Sequence, residues 1–325
     1  MITKNREVLS EISKAINDAN RIALFCHVRP DGDTIGSALG LGWALEAVGK
    51  HVQYICPGFT LTQGVFTPEM VGRQTVFSEE QEDFDCSILL DISSLDRTNA
   101  SFSQPGAKKP DICIDHHISN PGIARINLIE PDAPATAMII AMILPELNLT
   151  ITEDVAEALL SGIIMDTQGF STSNTTPASL RVAADLMEKG ADLYRGIHEI
   201  LIGHTFEAAK LWSFGLNRLE RDGNILWSYL TLEDRVQSQY TAQDDGGQID
   251  YMASTVGTSV SILFVEQEGS RVKISWRSRP GINVATVAER FGGGGHMQAA
   301  GAEVNGSLEE VIGKVLALTR EIVNN

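Results

Sequence analysis

Two imidazoles and four carboxylates stand where apolar runs of this chain end. His27-Val28-Arg29-Pro30-Asp31-Gly32-Asp33 follows the run at residues 21–26, and Asp91 closes the run at 86–91, with Ser93, Ser94 and Arg97 just beyond. Asp115-His116-His117 closes the next run, and Asp166 ends an apolar helical stretch through Leu160 and Ile164. Taken singly, each has an ordinary explanation as a solvated turn, a helix cap or a strand terminus. Taken together, they ask for a cation, because a carboxylate closing a buried strand is costly unless it emerges at the sheet edge or meets positive charge. His27 and His116 with Asp31, Asp33, Asp91 and Asp166 form a mixed nitrogen and oxygen donor set without thiolate, which suits Mn²⁺ or Mg²⁺ better than structural zinc. Six donors are too many for one ion that keeps an open position. They suit two ions about 3.5–4 Å apart sharing a carboxylate, an arrangement that activates water for attack on phosphorus.

The elements that must position these residues alternate in type. Short apolar runs at 21–26, 51–56, 86–91, 111–115 and 124–129 are separated by helical patterns, which predicts βαβ units and a mostly parallel sheet flanked by helices. The helix over 35–48 is expected to present Ala38, Leu41, Leu45 and Val48 on one face; further helices are predicted over 136–144, 153–165 and 177–189, the last with Pro177 at its start and Gly190 at its end. The first domain is expected to span 1–190 and a helical connector 191–221. A smaller α/β domain with a mixed sheet follows over 222–325, with strands near 225–230, 260–266 and 271–278. The active site is expected in the cleft between the domains.

At 325 residues with 43% hydrophobic content, the chain has material for two cores. No apolar stretch approaches the roughly 20 residues needed to span a bilayer, and no signal peptide is evident, so a cytoplasmic protein without a membrane partner is expected. Cys26, Cys56, Cys86 and Cys113 lack paired spacing and are expected as buried free thiols. The net charge of −17 argues against a long duplex or strand as partner. Residues 251–325 hold seven basic and seven acidic side chains, so that net charge lies wholly in residues 1–250 and phosphate contacts are expected in the C-terminal part.

The ordered set H-x-x-P-D-G-D, D-x-S-x-x-x-R, D-H-H and a helix-terminal D-T resembles the four motifs of the DHH phosphoesterase superfamily. Gly292-Gly293-Gly294-Gly295-His296 with Ala299, Ala300 and Gly301 is similar to the glycine-rich signature of the DHH-associated domain. The closest resemblance is to the nanoRNase/pAp-phosphatase branch, whose relatives include cyclic di-AMP phosphodiesterases. It implies two Mn²⁺ ions, with Mg²⁺ or Co²⁺ as alternatives: His27 and Asp31 on one, Asp33, His116 and Asp166 on the other, Asp91 bridging. It further implies His117 beside the reacting phosphate, Asp115 supporting a ligating imidazole, Arg97 anchoring a loop, and a homodimer. The sequence departs from this pattern after Asp166, where Gln168 intervenes before Gly169 and Ser171 follows Phe170 in place of a cation.

In the second domain the odd positions from Arg271 to Arg279 are Arg, Lys, Ser, Arg, Arg while Val272, Ile274 and Trp276 alternate with them, giving a strand with one basic face. An ordinary solvated face would look the same. The adjacent glycine run favours a site, because glycines let backbone N–H groups approach an anion closely. Arg277, Arg279 and the loop Gly293, Gly294, Gly295, His296 are expected to hold a terminal phosphate or ribose. The partner expected is a short RNA or a small nucleotide: pAp, two to five nucleotides of RNA, pApA or cyclic di-AMP. An inorganic pyrophosphatase of family II, a RecJ-type exonuclease and a non-catalytic nucleotide-binding module are the rival readings. The first lacks this glycine run, the second fits poorly with the acidity and length, and the third would be expected to have lost a ligand.

Overall fold

A computed structural model describes residues 6–59, 73, 75–79, 83–98, 102 and 106–323. The chain divides into two compact units, 1–203 and 204–325.

In the first unit, α1 (Arg6–Asp18) precedes β1 (Arg21–Phe25), α2 (Gly32–Glu46), β2 (His51–Ile55), β3 (Phe77–Ser78), β4 (Cys86–Leu90), β5 (Ile112–Asp115) and β6 (Ile126–Ile129). Helices α3 (Thr136–Ile143), α4 (Glu153–Asp166), α5 (Pro177–Glu188) and the short α6 (Leu193–Ile197) follow. The six strands are all parallel in the order β3-β2-β1-β4-β5-β6. That order reverses direction between β1 and β4, and such a switch point leaves a crevice at the carboxyl ends of the two strands. Residues 26–33 follow β1 and Asp91 follows β4, so the topology carries the predicted donors to one crevice.

Helix α2 corrects the one-faced amphipathic expectation. Its residues 32–45 are all buried, while Val48 lies beyond its end and is 52% exposed. The helix packs between the sheet and α3 and α4. Contact with α4 is close because Gly36 has no side chain: a Cβ there would lie 2.5 Å from the carbonyl oxygen of Ala158.

Cys26 and Cys56 form a disulfide with Cα atoms 4.8 Å apart, correcting the expectation of four free thiols; Cys86 and Cys113 are free and buried. The parallel register Phe25↔Ile55 brings the residues after each strand side by side. Cysteine usage therefore no longer argues for a reducing compartment. Among the described residues no helix is long and apolar enough to cross a membrane.

The expected connector is shared between the units. Glu157 of α4 accepts from the Asp192 amide at 2.7 Å and pairs with Arg195 at 3.0 Å, which ties the segment beyond α5 to the first unit. In the second unit, α7 (Phe206–Asn217) leads into a mixed sheet. It is built from β7 (Glu220–Asp222), β8 (Ile225–Leu230), β9 (Val260–Gln267), β10 (Arg271–Ser278), β11 (Gly294–His296) and β12 (Ala299–Asn305), in the order β11-β12-β10-β9-β8-β7. Helices α8 (Leu232–Ser238), α9 (Gln248–Ala253), α10 (Ala285–Arg290) and α11 (Leu308–Val323) accompany it. Val272, Ile274 and Trp276 of β10 point into the core with Val260, Ile262 and Phe264 of β9.

Candidate metal centre

Each imidazole is turned by a backbone carbonyl. His27 Nδ1 donates to the Val28 carbonyl at 3.1 Å and His116 Nδ1 to that of Ala133 at 3.3 Å, so both present Nε2 to the carboxylates. His27 Nε2 lies 3.5 Å from Asp31 Oδ2 and 3.6 Å from Asp91 Oδ2. His116 Nε2 lies 3.2 Å from Asp166 Oδ2 and 3.5 Å from Asp91 Oδ1. Two groups with the mutual spacing of a cation's donors result, His27–Asp31–Asp91 and Asp33–His116–Asp166.

Asp31 caps α2, accepting from the Asp33 and Thr34 amides at 3.1 Å each. Asp33 is wholly buried and accepts from the amides of Thr136 (2.6 Å) and Ala137 (2.9 Å) at the start of α3. Asp91 adopts a left-handed backbone (φ 60°), a conformation that costs a non-glycine residue about 1–3 kcal/mol and is found where function demands it. Gln168, Gly169 and Phe170 after Asp166 are likewise left-handed, at φ 47°, 65° and 66°.

The electrostatics are those of a site built for positive charge. Burial, with the neighbouring Asp31 charge, pushes Asp33 up to about 7; burial and Asp33 push Asp91 up to about 7; burial and the other carboxylates push Asp166 up to about 10. Burial acts on Asp31 in the same direction, but hydrogen bonds from His27 and Thr34 outweigh it and hold Asp31 at about 2. The oxygen-rich donor set fits two divalent cations.

A third grouping, Asp91–His116–His117, has the same spacing, but His117 Nδ1 is committed to Asp115 Oδ1 at 2.7 Å. Asp115 therefore supports His117, whereas the expected support of a ligating imidazole comes to His116 from the Ala133 carbonyl. Asn120, which the sequence reading did not single out, donates to Asp115 Oδ2 at 2.7 Å and to the Ile92 carbonyl at 3.0 Å. The Arg97 carbonyl accepts from the Val28 amide at 2.9 Å, joining its loop to the segment that carries His27.

In the second unit, Arg277 Nε donates to Asp250 at 2.8 Å, and Arg279 to the carbonyls of Thr258 (2.8 Å) and Thr255 (3.3 Å). Of the glycine run, expected as a loop, Gly294 and Gly295 belong with His296 to the edge strand β11, paired with β12, while Gly292 and Gly293 precede it. A Cβ at Gly293 would lie 2.1 Å from the Gly301 carbonyl oxygen and one at Gly295 2.5 Å from that of Ala299, so these two glycines admit the neighbouring strand; nothing lies within 4 Å on the open side of Gly294. The His296 side chain lies outside the described residues. A cavity of about 650 Å³ lined by Leu9, Met142 and Val182 shares no residue with the centre.

Comparison with known proteins identifies the lineage. The model of the DHH family N-terminal domain matches residues 21–163 and that of the DHHA1 domain residues 222–325. The bifunctional oligoribonuclease and PAP phosphatase NrnA of Thermus thermophilus is 30% identical over 317 residues, covering 97% of this chain and 93% of the relative. The chain belongs to the DHH family. It sits in the NrnA-like branch, and the NrnA of Mycoplasma genitalium is also similar, 26% identical with 98% of each chain covered. The crystal structure of an exopolyphosphatase-related protein from Bacteroides fragilis shares the fold, with a TM-score of 0.78, 24% identity, and 97% of this chain and 96% of that one covered. As a DHH protein this chain is a metal-dependent hydrolase of phosphate esters.

Proposed function

We propose that the chain is a manganese-dependent, two-metal phosphoesterase that cleaves short oligoribonucleotides and small nucleotides such as pAp, pApA or cyclic di-AMP. The observation that carries this reading is the division of Asp91, one oxygen toward His27 and the other toward His116, as a carboxylate shared by two cations requires. The names of the NrnA relatives supply the substrate class.

His27 and Asp31 would hold one cation and Asp33, His116 and Asp166 the other, with Asp91 between. Such a pair lowers the pKa of water toward neutrality and neutralises charge developing on the phosphoryl oxygens. The chain's own contribution is the rigid donor set and His117. Its Nδ1–H bond to Asp115 favours the imidazolium, which can give a proton from Nε2 to the leaving oxygen. Arg277 and Arg279, each anchored on one side and retaining further N–H donors, are the proposed phosphate contacts, with the edge strand β11 across β12 from β10 in the same sheet.

The test is turnover of the Mn²⁺-loaded protein on pAp, pApA, cyclic di-AMP, RNA of two to five nucleotides and pyrophosphate. Release of phosphate or mononucleotides from the nucleotide substrates is expected. Cleavage of pyrophosphate alone would place the activity elsewhere in the superfamily, and cleavage of none would favour a binding module.

A further inference from the structure

The two oxygens of Asp91 are each held by a buried threonine. Oδ2, on the His27 side, accepts from Thr34 Oγ1 at 2.6 Å; Oδ1, on the His116 side, accepts from Thr136 Oγ1 at 3.2 Å. Both threonines are wholly buried, one in the first turn of α2 and the other the first residue of α3. Each also touches the second carboxylate of its own side. The Thr34 amide and hydroxyl both lie 3.1 Å from Asp31 Oδ1, and the Thr136 amide lies 2.6 Å from Asp33 Oδ2. Thr34 thus links Asp91 to the His27–Asp31 group, and Thr136 links it to the Asp33–His116–Asp166 group.

Resting on the two-metal reading above, we infer that Thr34 and Thr136 are positioning residues that apportion Asp91 between the two cation positions, each presetting one of them. The left-handed backbone of Asp91 decides where its side chain leaves the chain, but its terminal torsion is broad and two-fold and does not by itself orient the carboxylate. A hydroxyl donor on each oxygen fixes that rotation and leaves further lone pairs for a cation. Threonine suits the task because its branched Cβ restricts χ1. Helix capping alone does not account for these hydroxyls: the cap of α2 is Asp31, that of α3 is Ala135, and the nearest partner of Thr34 Oγ1 is the Asp91 carboxylate.

The inference is tested on the full chain by calorimetric titration with Mn²⁺ and by the electron paramagnetic resonance signal of paired Mn²⁺. His27→Ala leaves the Asp33–His116–Asp166 position, and His116→Ala leaves the other. In the His27→Ala background, Thr136→Val is expected to weaken Mn²⁺ binding about 10–100-fold, as loss of a ligand's supporting contact does. Thr34→Val should there stay within about twofold. In the His116→Ala background the two should exchange roles, and Thr→Ser at either position should restore binding. Equal losses from both threonines in both backgrounds, no loss from either, or failure of serine to restore would overturn the inference. Fewer than two Mn²⁺ bound by the unaltered protein would overturn the two-metal reading and the inference with it, whereas two ions with the wrong pattern overturn the threonine assignment alone. Where a valine variant loses its native circular dichroism, Thr→Ala is read by the same criteria.

Discussion

Asp115 Oδ1 and His117 Nδ1 lie 2.7 Å apart, with the carboxylate wholly buried and its other oxygen held by Asn120. The pair sets charge on both partners. The hydrogen bond to Asp115 raises His117, while burial raises Asp115 but is outweighed by the bonds from His117 and Asn120, which hold it below the usual carboxylate range. His117→Ala is expected to lower kcat by about 10²–10⁴-fold, the usual contribution of a positioned acid. Asp115→Asn should move the alkaline limb of the kcat profile to lower pH, because a neutral partner no longer favours the imidazolium. An unmoved limb would remove His117 from proton transfer.

Cation uptake should release protons. Asp33 and Asp91, at about 7, and Asp166, at about 10, carry protons in the folded metal-free chain that a bound cation displaces, so Mn²⁺ affinity should climb as pH rises through 7. The same three groups have folded pKa values above their unfolded ones. Their contribution to metal-free stability is complete below about pH 4 and is lost as pH rises through 7 and toward 10. The gain in Tm on adding Mn²⁺ should therefore be larger at pH 8 than at pH 6, and proton release is read by calorimetry in buffers of different ionisation enthalpy.

Gly36→Val tests the helix contact beneath the centre. The added Cβ meets the Ala158 carbonyl at 2.5 Å and the Gly162 amide at 2.9 Å, both backbone, so the cost should reach about 1–3 kcal/mol or more in urea denaturation. Mn²⁺ uptake should fall with it, since α2 carries Asp33 and α4 carries Asp166. Gly313→Ala, where nothing lies within 4 Å in the middle of α11, should instead stabilise by about 0.5–1 kcal/mol.

Gln168, two residues after Asp166, stands in a left-handed conformation (φ 47°). Such a conformation costs a side-chain-bearing residue about 1–2 kcal/mol, and its side chain donates to the Met165 carbonyl at 3.0 Å. Gln168→Gly should raise stability by up to about 1 kcal/mol after the unfolded-state entropy of glycine is subtracted. A loss of stability would show that this hydrogen bond outweighs the backbone strain.

Much of the centre was legible in the sequence because its donors lie at element ends. The strands ending near Cys26, Leu90 and Asp115 and the helix ending at Asp166 are visible as apolar runs closed by polar residues, and six donors of two kinds at such ends point to cation chemistry before any contact is known. Periodicity also foretold the alternating face of β10 and the helices over Thr136–Ile143 and Pro177–Glu188. What it could not reveal was which elements become neighbours. The burial of α2 on all sides and the Cys26–Cys56 pair follow from packing between segments distant in sequence, and the strand character of Gly294–His296 from a hairpin with Ala299–Gly301 that the glycines did not announce. The same holds for the supporting groups. Thr34 stands beside the D-G-D motif and Asn120 three residues after His117, yet nothing local distinguishes them from a first-turn threonine and a turn asparagine. Only the adjacency of β1 and β4 at the switch point brings Thr34 to Asp91, 57 residues away, because hydrogen bonds depend on positions in space that spacing along a chain does not encode.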